Sequence, residues 1–341
     1  MAADFDDSRL ENRQSLQAAD EILRRLAGAG ARLRIDGEGT EAALATLTES
    51  AGYRPRAILA AGPEARLVRA LVEPTCPVPF VAWPHHGLPG WFGPLDLLVV
   101  MAPDNGPAEL AATVAEGVRR GATVLVACSP DGPIAPAAAG RNATVLPITT
   151  ADPLAAAVVA GAALAALRLG PALDVPAVAA AVDRVAEDCS PYVDLSVNPA
   201  KDLALGLAEA QPLVWGGSVL AARASRRVAE ALRAASGRTA LAADAAALAT
   251  VLDVAGAKDL FADPFEDSVT DRHPGLVVLD DGHGAEEVHA ERTRLTALAD
   301  DRGIRVCVVS HTEGSELERY ASLLQTGLYA AAYLAIGLGR V

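Results

Sequence analysis

The sequence predicts an α/β protein made of two doubly wound, parallel-sheet lobes preceded by an N-terminal helical segment. Three observations carry that prediction. Short apolar runs bounded by turn residues recur along the chain, alanine-rich stretches of helical length separate them, and the same plan starts again after residue 200. Strands that are apolar at every position are buried on both faces, which is the condition of a parallel sheet covered by helices.

Residues 1–39 form the N-terminal helical segment. Their opening, MAADFDDSRLENRQSL, is acidic and polar and lacks the basic region and apolar core of a secretory signal. The first lobe spans 40–175, with strands AILAA (57–61), VPFVA (78–82), LLVVMA (97–102), ATVLVA (122–127) and TVLPI (144–148). EARLVRALV and PAELAATVAEGVRRG supply helices between them. LAAAVVAGAALAALRLG (154–170) is apolar throughout, but it is dominated by Ala, falls just short of a membrane span and has no aromatic or basic anchors. It reads as a buried core helix.

A connector, 176–200, holds a helix near 176–188 and the start of the polar stretch EDCSPYVDLSVNPAKD. The second lobe, 201–341, runs through PLVWG (212–216), a helix from Ser218 to Ala235, TALAA (239–243) and LVVLD (276–280). A charged helix near 285–300, IRVCVVS (304–310) and a closing helix at 315–336 complete it. The acidic, Pro- and Gly-punctuated loop at 251–275 is either a solvated excursion or an active-site lid.

Composition narrows the function classes. With 341 residues, 51% of them apolar, the chain can bury cores for two domains. Lys and Arg number 29 against 43 Asp and Glu, and the net charge of −14 opposes binding to nucleic acid or an anionic membrane surface. Cys76, Cys128, Cys189 and Cys307 are widely spaced with no CxxC pair, as expected for reduced thiols in a cytoplasmic protein. His283, Glu287 and His289 in DGHGAEEVH are metal-ligand types, but six residues separate the two histidines and turn them to different helix faces. No metal and no cofactor is expected. His85 and His86 in WPHHGLPGW sit in a loop after the second strand, facing either a cleft or solvent.

Four stretches in order, GVRRGATVLVACSPDGPIA, TTADPLAAAVVAGAALAALRLG, NPAKDLALGLAEAQPLVWGGS and SELERYASLLQTGLYAAAYLAIGLGRV, resemble the bifunctional phosphoglucose/phosphomannose isomerases, which are built from two sugar-isomerase (SIS) lobes. The resemblance runs from about residue 40 to the C-terminus and rests on order, spacing and an NPAKxLA…P-[apolar]-[aromatic]-G pattern. It implies aldose–ketose interconversion of a sugar phosphate through an enediol. That chemistry needs an anion cradle, a ring-opening acid/base and a carboxylate that moves a proton between adjacent carbons.

The family's first cradle turn is Gly-rich and bears Ser; here it is AAGPEA (60–65), where Pro63 removes an amide donor. The second is Ser-x-Ser-Gly-Asn-Thr-Glu in the family and Ala102, Asp104, Asn105, Gly106 and Pro107 here. Asn105 and Gly106 keep the turn and are candidate substrate contacts, whereas Asp104 puts a negative charge where a dianion would sit. A turn that only caps its helix is the other reading. The family's Arg after a Pro is replaced by Leu154 after Pro153, and Thr149, Thr150 and Asp152 read as N-capping residues.

In the second lobe Gly216, Gly217 and Ser218 stand at a strand-to-helix junction, as anion contacts or as an ordinary turn and cap. Glu230 follows Arg223 by seven residues, the spacing of the family's catalytic Glu, with Ala229 and Ala231 as its neighbours. The resemblance implies Glu230 as the base and Arg223 as a substrate contact; on a solvated face Glu230 would instead pair with Arg226 or Arg227. No His follows in a Leu-x-His-Asn-Glu context, where this chain reads DLFADPFED, and no Lys matches the family's C-terminal one before Gly339-Arg340-Val341.

Two functions follow from the resemblance. One is isomerisation of glucose 6-phosphate or mannose 6-phosphate to fructose 6-phosphate. The other is a catalytically silent SIS protein that senses a sugar phosphate or docks onto a sugar-metabolism enzyme such as a mannose-6-phosphate isomerase. A homodimer is expected from Ser315–Gly339, where Tyr320, Leu324, Leu328 and Tyr333 offer more apolar surface than one sheet face covers, unless the other lobe buries it.

Overall fold

A computed structural model describes residues 4–104, 106–255 and 273–341. A 3-10 turn (Asp7–Leu10) opens the chain, followed by α1 (Arg13–Ala18), α2 (Asp20–Ala27) and α3 (Ala29–Glu49). Then come β1 (Ile58–Ala61), α4 (Ala65–Val72), β2 (Phe80–Ala82), β3 (Leu97–Ala102), α5 (Ala108–Arg119), β4 (Thr123–Cys128), β5 (Ala143–Pro147) and α6 (Pro153–Ala166). α7 (Val175–Asp188) and α8 (Pro199–Gly206) lead to β6 (Gln211–Gly216), α9 (Val219–Ser236), β7 (Leu241–Ala242) and α10 (Ala245–Val254). β8 (Pro274–Asp280), α11 (Glu286–Asp301), β9 (Val306–Ser310) and α12 (Glu316–Gly337) end it.

The chain divides into two compact units, Ala29–Ala180 and a second made of Met1–Gly28 with Ala181–Val341. Each has one sheet, in the orders β2-β1-β3-β4-β5 and β7-β6-β8-β9, and every pairing is parallel. This is the α/β class that the apolar runs predict, with two doubly wound sheets. α10 was not foreseen; Asp244 starts it by accepting from the Ala247 amide at 2.8 Å. Residues 256–272 of the expected lid or excursion lie outside the described residues.

In the Ala29–Ala180 unit every residue of β1 and β3 is buried. α4 and α6 pack on β1 to β4 and α3 packs on α6 and β5. On the other face Leu110 and Val114 of α5 close over Leu59, Leu98, Val100 and Val126. Each such side chain contributes about 1.5–3 kcal/mol on burial. α6 shows no polar face, and Ala155–Gly161 are buried on every side, which is why its sequence looked like a membrane span. Among the described residues no helix is long and apolar enough to cross a membrane. Gly62, at φ +110°, has no room for a side chain: a Cβ there would lie 2.1 Å from the Met101 carbonyl oxygen.

In the other unit Leu248 and Leu252 of α10 and Leu295 of α11 cover Leu213, Trp215, Leu276 and Val278. α12 is buried almost throughout from Leu317 to Gly337, against α9, α8, α2 and the opening 3-10 turn. The apolar surface that suggested a second copy is thus covered within its own unit.

A buried carboxylate organises the turn after β5. Asp36 of α3 is 1% exposed. Its Oδ1 accepts from the Thr149 amide (2.8 Å), the Thr149 hydroxyl (3.0 Å) and the Thr150 amide (3.3 Å), and its Oδ2 from the Thr150 hydroxyl. Of the residues read as caps, only Asp152 serves α6, accepting from Leu154 and Ala155 amides, while Arg32 pairs with its Oδ2 at 2.7 Å. The two threonines are donors to α3 instead. Asp36→Ala strips four donors of their acceptor, and urea unfolding should show a loss of about 3 kcal/mol; a loss below about 0.5 kcal/mol would show that the turn holds without it.

Candidate functional site

Open parallel sheets receive ligands beyond the carboxyl ends of their strands, where the strand order reverses. The reversals here fall between β1 and β3 in one unit and between β6 and β8 in the other.

At the first, the turn after β1 carries Gly62, Pro63 and the buried Glu64, and the turn after β3 carries Pro103, Asp104 and Gly106. Asp104 is exposed and its Oδ1 accepts from the Gly106 amide at 3.3 Å. It does not cap α5, whose N-cap is Pro107 with no side-chain bond, so the expected cap is corrected to an Asp turn closed on itself. Gly106 holds φ +52°, and Asn105 lies outside the described residues.

At the second, Ser218 N-caps α9 and its Oγ accepts from the Ala221 amide at 2.9 Å. The same hydroxyl donates to Oδ2 of Asp281, a buried residue just after β8. Asp281 Oδ1 accepts from the His283 amide (3.2 Å), and the Asp281 carbonyl accepts from Arg319 Nη1 (2.8 Å). Arg292 pairs with the neighbouring Asp280. The two glycines serve packing as well as the turn. A Cβ on Gly216 would stand 2.3 Å from the Ala221 carbonyl carbon, and one on Gly217 2.4 Å from Val288 Cγ1.

A carboxylate therefore occupies the hydroxyl that a phosphate would use. Two unit charges 4 Å apart at an effective dielectric near 20 repel by about 4 kcal/mol, against about 1 kcal/mol for a neutral hydrogen bond. The junction is shaped like an anion site and charged against one.

The structure brings Gly216, Gly217 and Ser218 together and places the other two candidates down the same helix. Arg223 is buried. Glu230 is half-exposed and pairs with Arg227 Nη1 at 3.0 Å. At 1.5 Å per residue it stands roughly 16 Å along α9 from the helix start. His283 and His289 make local bonds with Ala285, and among the described residues no group of three His, Cys, Asp or Glu side chains could hold a metal.

Sequence reasoning missed Asp281, Arg319 and His311. Position was the available signal, since Asp281 and His311 are each the first residue after an apolar strand, β8 and β9. His311 Nε2 lies 2.9 Å from Thr326 Oγ1, whose own proton goes to the Ser322 carbonyl at 2.9 Å. Nε2 is therefore the protonated nitrogen, and burial pushes the imidazole below its usual range despite the pull of Asp188.

Residues 196–340 match the model of the bacterial phospho-glucose isomerase C-terminal SIS domain. No curated protein sequence matches the chain. Among solved structures, the C-terminal domain of glucosamine-fructose-6-phosphate aminotransferase from Francisella tularensis is similar at a TM-score of 0.63 and 11% identity, covering 93% of this chain and 96% of that one. A glucose-6-phosphate isomerase like protein from Thermus thermophilus is similar at 0.51 and 17% identity, covering 92% of each. The resemblance carried by the sequence motifs thus holds in the fold, which is that of phosphosugar-isomerase SIS domains.

The lowered His311 pKa has a signed consequence. The neutral ring's contribution to stability is complete above the unfolded value of 6.5 and is lost as pH falls through the folded value. Urea unfolding at about pH 7 and about pH 5 should show lower stability in acid, with part of the difference removed by His311→Asn. An unchanged difference in that variant would remove His311 from the acid response.

Proposed function

We propose that this chain is a sugar-phosphate-binding protein on an isomerase fold, with little or no interconversion of glucose 6-phosphate or mannose 6-phosphate and fructose 6-phosphate. The observation that carries this reading is the Ser218 hydroxyl bound to the Asp281 carboxylate at the strand-order reversal. A proton-transfer base must come within about 3 Å of the carbon-bound proton it removes. Glu230, spaced from Arg223 as the family's base would be, is instead engaged by Arg227 on a half-exposed helix face. Groups that act as a unit lose most of their effect when one is removed, and here the hydroxyl-rich cradle, Arg, His and Lys are all replaced.

Carboxylates remain good acceptors for sugar hydroxyls. Asp281 and Asp104 favour a ligand held by its hydroxyls, with the phosphate turned toward the arginines of the same unit, Arg223 and Arg319 for the Asp281 crevice. Asn105, Gly106, Gly216 and Gly217 enter this proposal as backbone contacts. A non-catalytic role in a reduced, cytoplasmic setting also suits docking onto an enzyme that shares the ligand, such as a mannose-6-phosphate isomerase, or pairing as a homodimer.

A coupled assay of wild type with the three hexose phosphates should stay at the blank, while the same ligands raise Tm. Asp281→Asn replaces the charged acceptor of the ligand's hydroxyls by a neutral amide, and should weaken glucose 6-phosphate binding by about tenfold. Robust wild-type turnover abolished by Glu230→Gln would overturn the reading and install Glu230 as the base.

A further inference from the structure

The NPAK stretch works as a clamp on the loop that precedes it. Asn198 Oδ1 caps α8 through the amides of Ala200 (3.1 Å) and Lys201 (3.0 Å), and its Nδ2 donates to the Ser190 carbonyl at 3.0 Å. The Lys201 side chain runs back under the loop and is 1% exposed as a residue. Its Nζ donates to the carbonyls of Pro191 (3.1 Å) and Val193 (2.8 Å) and sits 5.6 Å from the Tyr333 ring centre. One ammonium thus holds the carbonyls on both sides of Tyr192, and the phenol between them is 94% exposed. An aromatic fixed outward on a pinned loop costs little further ordering when it meets a partner.

Beside this loop, between it and α1 and α2, is a cavity of about 740 Å³ with Leu16, Leu23 and Val193 among its apolar lining. That size falls within the range of small-molecule sites. The acids lining it are already engaged. Asp20 pairs with Arg24 at 2.8 Å, Asp194 accepts from the Ser196 amide and hydroxyl, and Glu11 accepts from the Leu195 amide at 3.1 Å. The cations are less committed. Arg13 makes no hydrogen bond or ion pair among the described residues, and the Lys201 ammonium has a third proton beyond the two it gives to the loop.

We propose that this cavity binds an organic phosphate carrying a ring, with the phosphate on Arg13 and the Lys201 ammonium and the ring against Tyr192. A guanidinium and an ammonium together suit a dianion, and the phenol face suits the flat side of a sugar or a base. Burial holds the Lys201 pKa below its usual range and Glu11 and Asp194 pull it back up, so an incoming phosphate replaces these two as counter-ion to the ammonium. The site shares no residue with the crevice at Ser218 and Asp281, and it does not depend on the function proposed for that crevice.

Calorimetric titration of the full chain tests it, with UMP and glucose 1-phosphate as probes for a base and a sugar, and uridine, glucose and inorganic phosphate as controls. UMP should bind saturably, one per chain, with uridine giving no heat, and glucose 1-phosphate and inorganic phosphate should compete with it whereas glucose should not. Arg13→Ala and Tyr192→Ala, both at exposed positions, should each weaken UMP binding by about tenfold with unchanged melting curves, and Asp281→Asn should leave UMP binding unaltered. The proposal is overturned by the absence of heat from UMP, by UMP affinity that survives both variants, by equal binding of uridine, or by a response of UMP binding to Asp281→Asn.

Discussion

Burial of both sheet faces is the constraint on which the rest of this molecule depends. β1 and β3 have no exposed residue, and in β6 and β8 only the ends are partly so. Such strands can lend no polar side chain to chemistry without stranding it in a core. What the sheets themselves can offer a ligand is confined to the few residues that follow each strand, where the backbone leaves the sheet and the first amides of a helix are exposed. Asp281 and Asp104 stand at these positions, each closing a turn through a backbone amide.

That separation lets an SIS-like fold form with a carboxylate at its strand-order reversal. Gly216 and Gly217 lie too close to Ala221 and Val288 to carry a side chain, so packing alone demands them. Ser218 is demanded by the cap of α9. Three residues that look like an anion site are each accounted for by folding, and the hydroxyl that could turn toward a ligand turns toward Asp281. The shape is set by helix–sheet contact, and the charge by the residue after the neighbouring strand.

Elsewhere the chain uses buried polar side chains as clamps on turns. Asp36 gathers four donors of the turn after β5, where Ala151 takes a left-handed φ of +54°. Asn198 and Lys201 do the reverse, donating to the carbonyls of Ser190, Pro191 and Val193. Arg56 forks onto the fully buried Asp96, which also accepts from the Gly93 amide and so pins the loop between β2 and β3. In each case an irregular segment with few ladder bonds of its own is satisfied by one or two polar side chains. The loop that Lys201 clamps forms one wall of the cavity beside Tyr192.

The sequence by itself determined the class, the nine strands of the described residues, most helices and the resemblance to phosphosugar isomerases, because apolar runs, helix-length spacers and caps are local signals that survive without a partner. It also located Ser218 and the Arg227 pairing of Glu230, which act within one helical turn. It did not reveal α10, it assigned Thr149 and Thr150 to capping, and it left Asp104 between a helix cap and a charge in the crevice. The threonines serve Asp36, 113 and 114 positions earlier, and Ser218 serves Asp281, 63 positions later. Those pairings are created by strand order, which brings β6 beside β8 and α3 beside β5. Only the tertiary structure decided whether a hydroxyl at the end of a strand faces an incoming anion or one of the protein's own carboxylates, because that depends on which strand end is its neighbour.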